Sequence, residues 1–392
     1  MKKILKYIKK VLKNPYHLIS TYQFYFSPPT LIRKRSETPL KKMQHIAAFT
    51  PHNSGDALQT ILVRDILKHH KLNIDWNLKH VHMEVNDADV QKFNNKDAIV
   101  IGSGGLILPA FENVSGWQWN CNISQIQKIN TPLIGFALGY NLFRGHNITT
   151  ELFLNNINTT ISKSIFWGMR NRGSVNSMKE IVNDTNKEKI VFQPCITTII
   201  SKIYPQLVEQ VQKKNVIALN CAFDREEMRF GNRKDEILNN IAFAMKELSE
   251  DYEIHYFANS KSDEIMIPYL KANNVNFKAI KLYDVSAEKI ITYYSYPKLV
   301  LGMRGHAQLI PFGCNTPILS LISHDKLRWF LNDIDAVEWG VEVKEDNLKD
   351  TIVEKSKTII ESEATAKKIL AEKEKLYIIT KANITSILKH LS

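Results

Sequence analysis

The sequence predicts an α/β protein of two parallel-sheet domains, and three observations carry that reading. Short apolar runs of strand length alternate with longer amphipathic stretches along the chain, the pattern of strands joined by helical crossovers. Glycines and polar residues gather just past those runs, where open α/β sheets place their ligands. At 392 residues the chain is also longer than one ordinary core organises.

Composition narrows the function classes. With 44% apolar and 23% charged residues the chain has the make-up of a globular protein. Cys121, Cys195, Cys221 and Cys314 lie far apart, with neither a CxxC pair nor Cys–His spacing. No metal site and no disulfide framework is therefore expected, and a reducing compartment suits the chain. Sequons at Asn113, Asn147 and Asn383 are what an Asn-rich sequence yields by chance. The net charge of +12 is unevenly placed. Met1–Met43 holds eleven Lys/Arg and one acid, Glu37, a local charge of +10 that leaves the rest near neutral. A basic surface that tracks nucleic acid is excluded.

Met1–Lys13 (MKKILKYIKKVLK) places Ile4, Leu5, Ile8, Val11 and Leu12 on one helical face and lysines elsewhere. The apolar stripe is too broken to span a bilayer or form a signal-peptide core. It matches a helix lying on an anionic membrane surface, where each Lys or Arg adds about 1 kcal/mol. An ordinary helix packing its stripe on the protein is the other reading. Asn14-Pro15 ends it, and Tyr16–Phe26 adds interfacial aromatics.

His45–Thr50 reads as the first strand, Pro51–Asp56 (PHNSGD) as a polar turn and Ala57–His69 as a helix, half of a Rossmann-like unit. Neither GxGxxG nor a P-loop is present. Asp56 or Ser54 caps that helix, or Asp56 faces a ligand. Asp97–Ile101 is a buried strand ending in the turn Gly102-Ser103-Gly104-Gly105, whose amides can approach an anion. Ile134–Gly139 is a further strand. Ser164–Ser174 ends in Arg170, Asn171, Arg172 and Ser174 before a helix over Val175–Val182, a junction suited to anions. Lys189–Ile200 reads as a strand broken at Pro194. The second domain alternates strands at Val216–Asn220, Glu253–Phe257 and Asn276–Leu282 with helices at Ile237–Leu248, Ser262–Asn273 and Val285–Tyr293. From Lys344 to Leu391 the chain is charged and helical. The division is a basic amphipathic leader over 1–44, a first domain over 45–205, a second over 206–335, and closing helices over 336–392 that pack back across both.

The most informative stretch is Lys298–Pro317 (KLVLGMRGHAQLIPFGCNTP). Leu299–Leu301 reads as a buried strand, Arg304 and His306 follow on a glycine-flanked turn, and a short helix begins at Ala307. The arginine offers a planar fork of donors to an anion. The histidine can move a proton near neutral pH. The same two residues also suit a plain polar surface loop.

Five pieces in this order resemble the polysaccharide pyruvyl transferase family. They are NSGD at Asn53–Asp56, DAIVIGSGGL at Asp97–Leu106, PLIGFALG at Pro132–Gly139, the R-x-x-x-S turn at Arg170–Ser174, and LGMRGHAQLIPFGCNTPILSL at Leu301–Leu321 followed by Lys326. The likeness runs from about Ala47 to Asp333 and leaves the leader outside. It implies two Rossmann-like domains facing a cleft, as in B-type glycosyltransferases. It also implies transfer of the enolpyruvyl group of phosphoenolpyruvate to two hydroxyls of a sugar, giving a pyruvate ketal and phosphate. Carried over residue by residue, His306 is the general acid, Arg304 the donor clamp and Asp56 the group that activates an acceptor hydroxyl. Arg170, Asn53, Gly104, Gly105, Ser174 and Lys326 bind substrate. No metal and no cofactor beyond the donor substrate is expected. The acceptor is a saccharide of a cell-surface polysaccharide or its lipid-linked precursor, and the leader would hold a cytoplasmic enzyme at the inner membrane face. Two positions depart from the family pattern: Asn171 replaces an acid, and Gln193-Pro194 replaces Asp-Pro. Two other classes remain open on these residues. One is a nucleotide-sugar glycosyltransferase, for which Glu338 is the loosely placed ribose acid; the other is a non-catalytic glycan-binding protein of the same fold.

Overall fold

The computed structural model describes residues 30–32, 38–50, 52–143 and 150–391; the leader helix expected over Met1–Lys13 lies outside them. Two six-stranded sheets, each wholly parallel, make up the framework. The first takes β1 (Leu40–Ala47), β2 (Asn73–His80), β3 (Ala98–Ile107), β4 (Leu133–Tyr140), β5 (Ser164–Met169) and β6 (Ile190–Phe192) in the order β2-β1-β3-β4-β5-β6. The second takes β7 (Val216–Asn220), β8 (Glu253–Ala258), β9 (Phe277–Lys281), β10 (Leu299–Gly302), β11 (Ile318–Ile322) and β12 (Gly340–Glu342) in the order β12-β11-β10-β7-β8-β9. Strand order reverses between β1 and β3 and again between β7 and β10. Ligands of such sheets bind past the carboxyl ends of strands at those reversals.

Central strands are apolar because parallel sheets are covered on both faces. β7, β10 and β11 are buried at every residue, and β3 at all but one. The helices that matter here are α1 (Ser54–His69), α2 (Arg172–Ile181), α3 (His306–Gly313), α4 (Asp325–Asp333), α5 (Leu348–Glu361) and α6 (Glu363–Lys389). A single apolar cluster joins Leu62 and Ile66 of α1 to Ile291, Leu309 and Phe312 of the second half and to Ile384 of α6.

α6 is held to both halves. Its fully buried Lys373 donates to Ser201 Oγ at 3.0 Å, to the Gly313 carbonyl at 3.1 Å and to Asn315 Oδ1. Further along, Asn383 donates to the Phe192 carbonyl at 2.9 Å and to Gln193 Oε1 at 3.1 Å. Gln193, which stands where the family pattern has the Asp of Asp-Pro, is thus a buried amide docked on the closing helix. At the other end of the chain, Asp65 of α1 accepts the backbone N–H of Leu31 at 2.6 Å and of Ile32 at 3.2 Å.

Three expectations are corrected, and one strand, β2, has no counterpart in the sequence reading. β1 starts at Leu40 rather than His45, since pairing with β2 runs over all eight residues and draws Lys41 and Lys42 into the strand. β2 has no apolar run to announce it: as an edge strand it alternates buried Ile74 and Trp76 with exposed Asp75 and Asn77. Gly102–Gly105 is not a turn. It stays paired with β4, Gly102 opposite Phe136 and Gly104 opposite Leu138, with a register shift before Ile107. The stretch beyond Pro194 is helical, not a strand, over Ile196–Ile203. Proline cannot donate to a ladder, and the Cys195 carbonyl instead accepts both the N–H and the hydroxyl of Thr198, at 2.9 and 2.7 Å.

Candidate functional site

The two strand-order reversals face each other, and the start of α1 forms the junction. Asn53 is the N-cap: its Oδ1 accepts from the N–H of Gly55 at 3.0 Å and of Asp56 at 3.4 Å. A side-chain oxygen in that role satisfies donors a helix start leaves unpaired. Asn53 also bridges Ser260 of the second half, and Ser54 N–H donates to the Asn259 carbonyl at 3.0 Å. The cap is therefore Asn53, neither Asp56 nor Ser54, and the Asp56 carboxylate is spared for other work. It accepts from Gln59 Nε2 at 3.0 Å.

His306 opens α3 and lays its ring on Gly55: a Cβ at Gly55 would fall 2.3 Å from His306 Nδ1. Glycine is required there because the second half inserts a ring against the backbone of the first. Its Nε2 lies 3.9 Å from the buried thiol of Cys195. Arg170, at the end of β5, occupies the space that Gly139 leaves, where a Cβ would fall 2.3 Å from the arginine Nε. Among the described residues no side chain or carbonyl accepts a hydrogen bond from the Arg170 guanidinium. Asn171, the departure next to it, caps α2 through Oδ1 on Ser174 N–H at 2.7 Å. Asn and Asp cap helices equally well, so the local fold survives the change.

Arg304 differs from the expectation most. Its Nε donates to both oxygens of Asp263 at 2.9 Å, and its Nη2 to Asp263 Oδ1 at 2.5 Å and Ser260 Oγ at 2.9 Å. Its Nη1 donates to Asp224 Oδ1 at 3.0 Å. Asp224 in turn accepts from Arg229 Nη2 at 2.8 Å, and Arg229 Nη1 donates to Ser323 Oγ at 2.7 Å. Two buried guanidinium groups and two carboxylates thus neutralise one another. The fork is engaged inside the fold by Asp263 and Asp224, and it fixes the turn that presents His306.

Lys326, in the first turn of α4, lies beside that turn, its Cε 4.0 Å from where a Gly305 Cβ would stand. Its Nζ donates to Asn141 Oδ1 at 2.8 Å. Asn141 occupies the space a side chain at Gly105 would take, 2.8 Å from the would-be Cβ, and Gln59 comes to 3.1 Å of that of Gly104. Gly104 and Gly105 therefore make room for the amides that hold Asp56 and Lys326, which corrects their reading as amides on an anion. Ser174 is corrected too: it is fully buried, and its hydroxyl accepts from the Tyr140 N–H at 3.0 Å.

Electrostatics set the protonation states. Burial, reinforced by Arg170, Lys326 and Arg304, brings the His306 pKa down to about 3, so the imidazole is neutral at pH 7. Burial raises Asp56 to about 6, against the pull of Arg304, Arg170 and Lys326. Lys326 is drawn well below the ordinary lysine value by burial and then by Arg229 and Arg170. For Asp224 the burial penalty is outweighed by Arg229 and Arg304, which hold it at about 2. Arg170 and Lys326, the first lowering the proton affinity of the second, thus stand near a neutral imidazole and a carboxylate, an arrangement able to attract an anion and to move a proton. Gln59, Asn141, Asp224, Arg229 and Asp263 escaped sequence reasoning, since each lies in an ordinary polar stretch and acts only through partners distant in sequence. Glu338 is exposed and paired with Lys368 of α6 at 2.9 Å, away from any role as a ribose acid. Among the described residues no three His, Cys, Asp or Glu side chains converge as a metal site, and no helix is long and apolar enough to cross a membrane.

Residues 4–325 match the family profile for polysaccharide pyruvyl transferase. No curated protein sequence matches the chain. Among solved structures it is similar to the UDP-GlcNAc 2-epimerase of Neisseria meningitidis bound to UDP-GlcNAc, at 13% identity and a TM-score of 0.50, covering 89% of this chain and 100% of that one. It is likewise similar to a Listeria monocytogenes protein described as a UDP-N-acetylglucosamine 2-epimerase, at 11% identity and a TM-score of 0.52, covering 84% and 91%. These likenesses establish the fold, that of B-type glycosyltransferases and epimerases.

The division of labour between the arginines is testable by urea unfolding. Arg304→Gln strips the countercharge from fully buried Asp263 and is expected to cost about 3–5 kcal/mol. Arg170→Gln is expected to cost about 1 kcal/mol or less; equal losses at both positions contradict the assignment.

Proposed function

The chain belongs to the polysaccharide pyruvyl transferase family, and from that premise we propose that it moves the enolpyruvyl group of phosphoenolpyruvate onto two hydroxyls of a polysaccharide sugar or its lipid-linked precursor. The observation that carries this reading is the pair of surplus cations, Arg170 and Lys326, set beside His306 and Asp56. Phosphoenolpyruvate brings a carboxylate and a phosphate, nearly three negative charges, to a pocket short of them. An arginine fork suits a planar carboxylate or a phosphate, and a lysine supplies a point charge.

The bond changes balance as follows. The methylene carbon of the donor gains a proton, which makes C2 electrophilic. One sugar oxygen bonds to C2, the bond from C2 to the phosphate oxygen breaks, and the second sugar oxygen bonds to C2. Two hydroxyl protons are lost; one balances the proton gained by the methyl group, and the other leaves with phosphate.

In this account His306 starts neutral. The donor's negative charge offsets Arg170, Lys326 and Arg304, so the imidazole gains proton affinity as the donor arrives and can deliver that proton to the methylene carbon. Asp56, mostly ionised above pH 6, accepts a proton from an attacking hydroxyl. Acid–base groups of this kind contribute ~10²–10⁴-fold each. The basic leader would keep the enzyme beside a membrane-borne acceptor.

Release of phosphate from phosphoenolpyruvate, dependent on an added saccharide, tests the reading. His306→Ala is expected to abolish it in a protein that still unfolds cooperatively; surviving turnover would remove the histidine from the chemistry. The base must be deprotonated, so kcat at saturating phosphoenolpyruvate, which reports the complex in which His306 already holds its proton, should fall as the pH drops through the Asp56 titration, towards about tenfold per pH unit. Asp56→Asn should lose that limb along with most of the rate, and a limb that persists in the variant assigns it elsewhere. Deleting Met1–Lys13 is expected to release the protein from anionic vesicles in a sedimentation assay. Unchanged co-sedimentation would sink the membrane role.

A further inference from the structure

His324 is not part of the expected site, yet it stands at its edge with one polar atom unused. It is the N-cap of α4, where its Nδ1 accepts the N–H of Lys326 at 3.3 Å. Its ring packs on Phe143 with centroids 4.0 Å apart, and the residue is only 5% exposed. Among the described residues Nε2 has no hydrogen-bond partner.

The cap fixes the tautomer. A nitrogen that accepts a backbone N–H carries no proton, so the proton of the neutral ring resides on Nε2. Burial, with Lys326, Arg229 and Arg170 close by, depresses the pKa and keeps the ring neutral. Nε2 is therefore a buried N–H donor with nothing to donate to, and such groups are rare without a function. Its surroundings define what it awaits. Arg170, Lys326 and Asp224 act on His324 and on Asp56 alike, which puts both in one electrostatic cluster. Phe143, the face His324 rests on, also carries the guanidinium groups of Arg225 and Arg229 at 5.6 and 5.4 Å from its ring centroid. The start of α4 adds its own partial positive charge.

We infer that His324 is a further anion ligand of this site, its Nε2–H donating to a phosphoryl oxygen that Lys326 and Arg170 neutralise. A neutral imidazole here adds direction without adding charge to a cluster already crowded with cations. The assignment to a phosphoryl group rests on the proposed function. Two sources offer the same oxygens: the phosphate of the donor, or a phosphate of a carrier-linked acceptor.

The test uses inorganic phosphate as the probe, titrated into the full-length protein by calorimetry. His324→Ser and His324→Asp both keep a side-chain oxygen able to cap α4, and both lose the imidazole Nε2–H, whose position the shorter serine hydroxyl does not reach. Phosphate is expected to bind roughly tenfold or more weakly to the serine variant, and more weakly still to the aspartate variant, with cooperative unfolding retained. Wild-type affinity in either folded variant, or a wild-type protein that binds no phosphate, overturns the inference. Displacement of phosphate by phosphoenolpyruvate assigns the oxygen to the donor, and simultaneous binding assigns it to the acceptor; either supports the ligand role. A His324 effect on phosphate binding, with no saccharide-dependent release from phosphoenolpyruvate in the wild type, would fault the proposed function alone.

Discussion

A guanidinium locked between two carboxylates is the constraint on which the rest of the site depends. Arg304 is held by Asp263 from the segment after β8 and by Asp224 from the segment after β7, and Asp224 is braced again by Arg229. Breaking one partner of such a buried network leaves a charge without compensation, which is why its geometry is stiff. That stiffness sets the backbone of the turn and hence the start of α3. His306, two residues on, is thereby delivered onto the glycine of α1, with Asn53 and Asn259 closing the junction behind it.

Because Arg304 is neutralised within the fold, the pocket's unspent positive charge lies elsewhere. Arg170 reaches in from β5 through the space of Gly139, and Lys326 from the first turn of α4. Both groups are half-buried, and Arg170 lowers the proton affinity of Lys326. An incoming anion relieves that repulsion, and the same relief restores basicity to His306. On the proposed reading, substrate binding and proton uptake are one electrostatic event, and the same histidine is unprotonated in the empty protein and an acid in the complex.

The fold was legible in the sequence where parallel strands must be apolar on both faces, as at β3, β4, β10 and β11. It was not legible at β2, an edge strand whose outer residues are polar, or past Pro194, where apolar isoleucines turn out to be helical. The residues that meet were legible too: Asp56, Arg170, His306 and Lys326 come together from four separate elements. Their roles were only partly so. Whether an arginine clamps a ligand or a carboxylate depends on partners that lie 41 and 80 residues away for Arg304, and no local pattern encodes that distance. The glycines misled for a related reason, since Gly104 and Gly105 leave space for neighbouring amides and not for an anion. Asn53 and Ser174 sit at the right places but spend their oxygens on backbone N–H groups.

On the proposed reading Arg170 and Lys326 hold the donor while Arg304 holds the turn. The most direct measurement is a crystal structure with phosphoenolpyruvate bound. Arg170 and Lys326 are expected within hydrogen-bond reach of its charged oxygens, with Arg304 still on Asp263 and Asp224. A structure in which Arg304 leaves Asp263 to take the donor, with Arg170 idle, would contradict it.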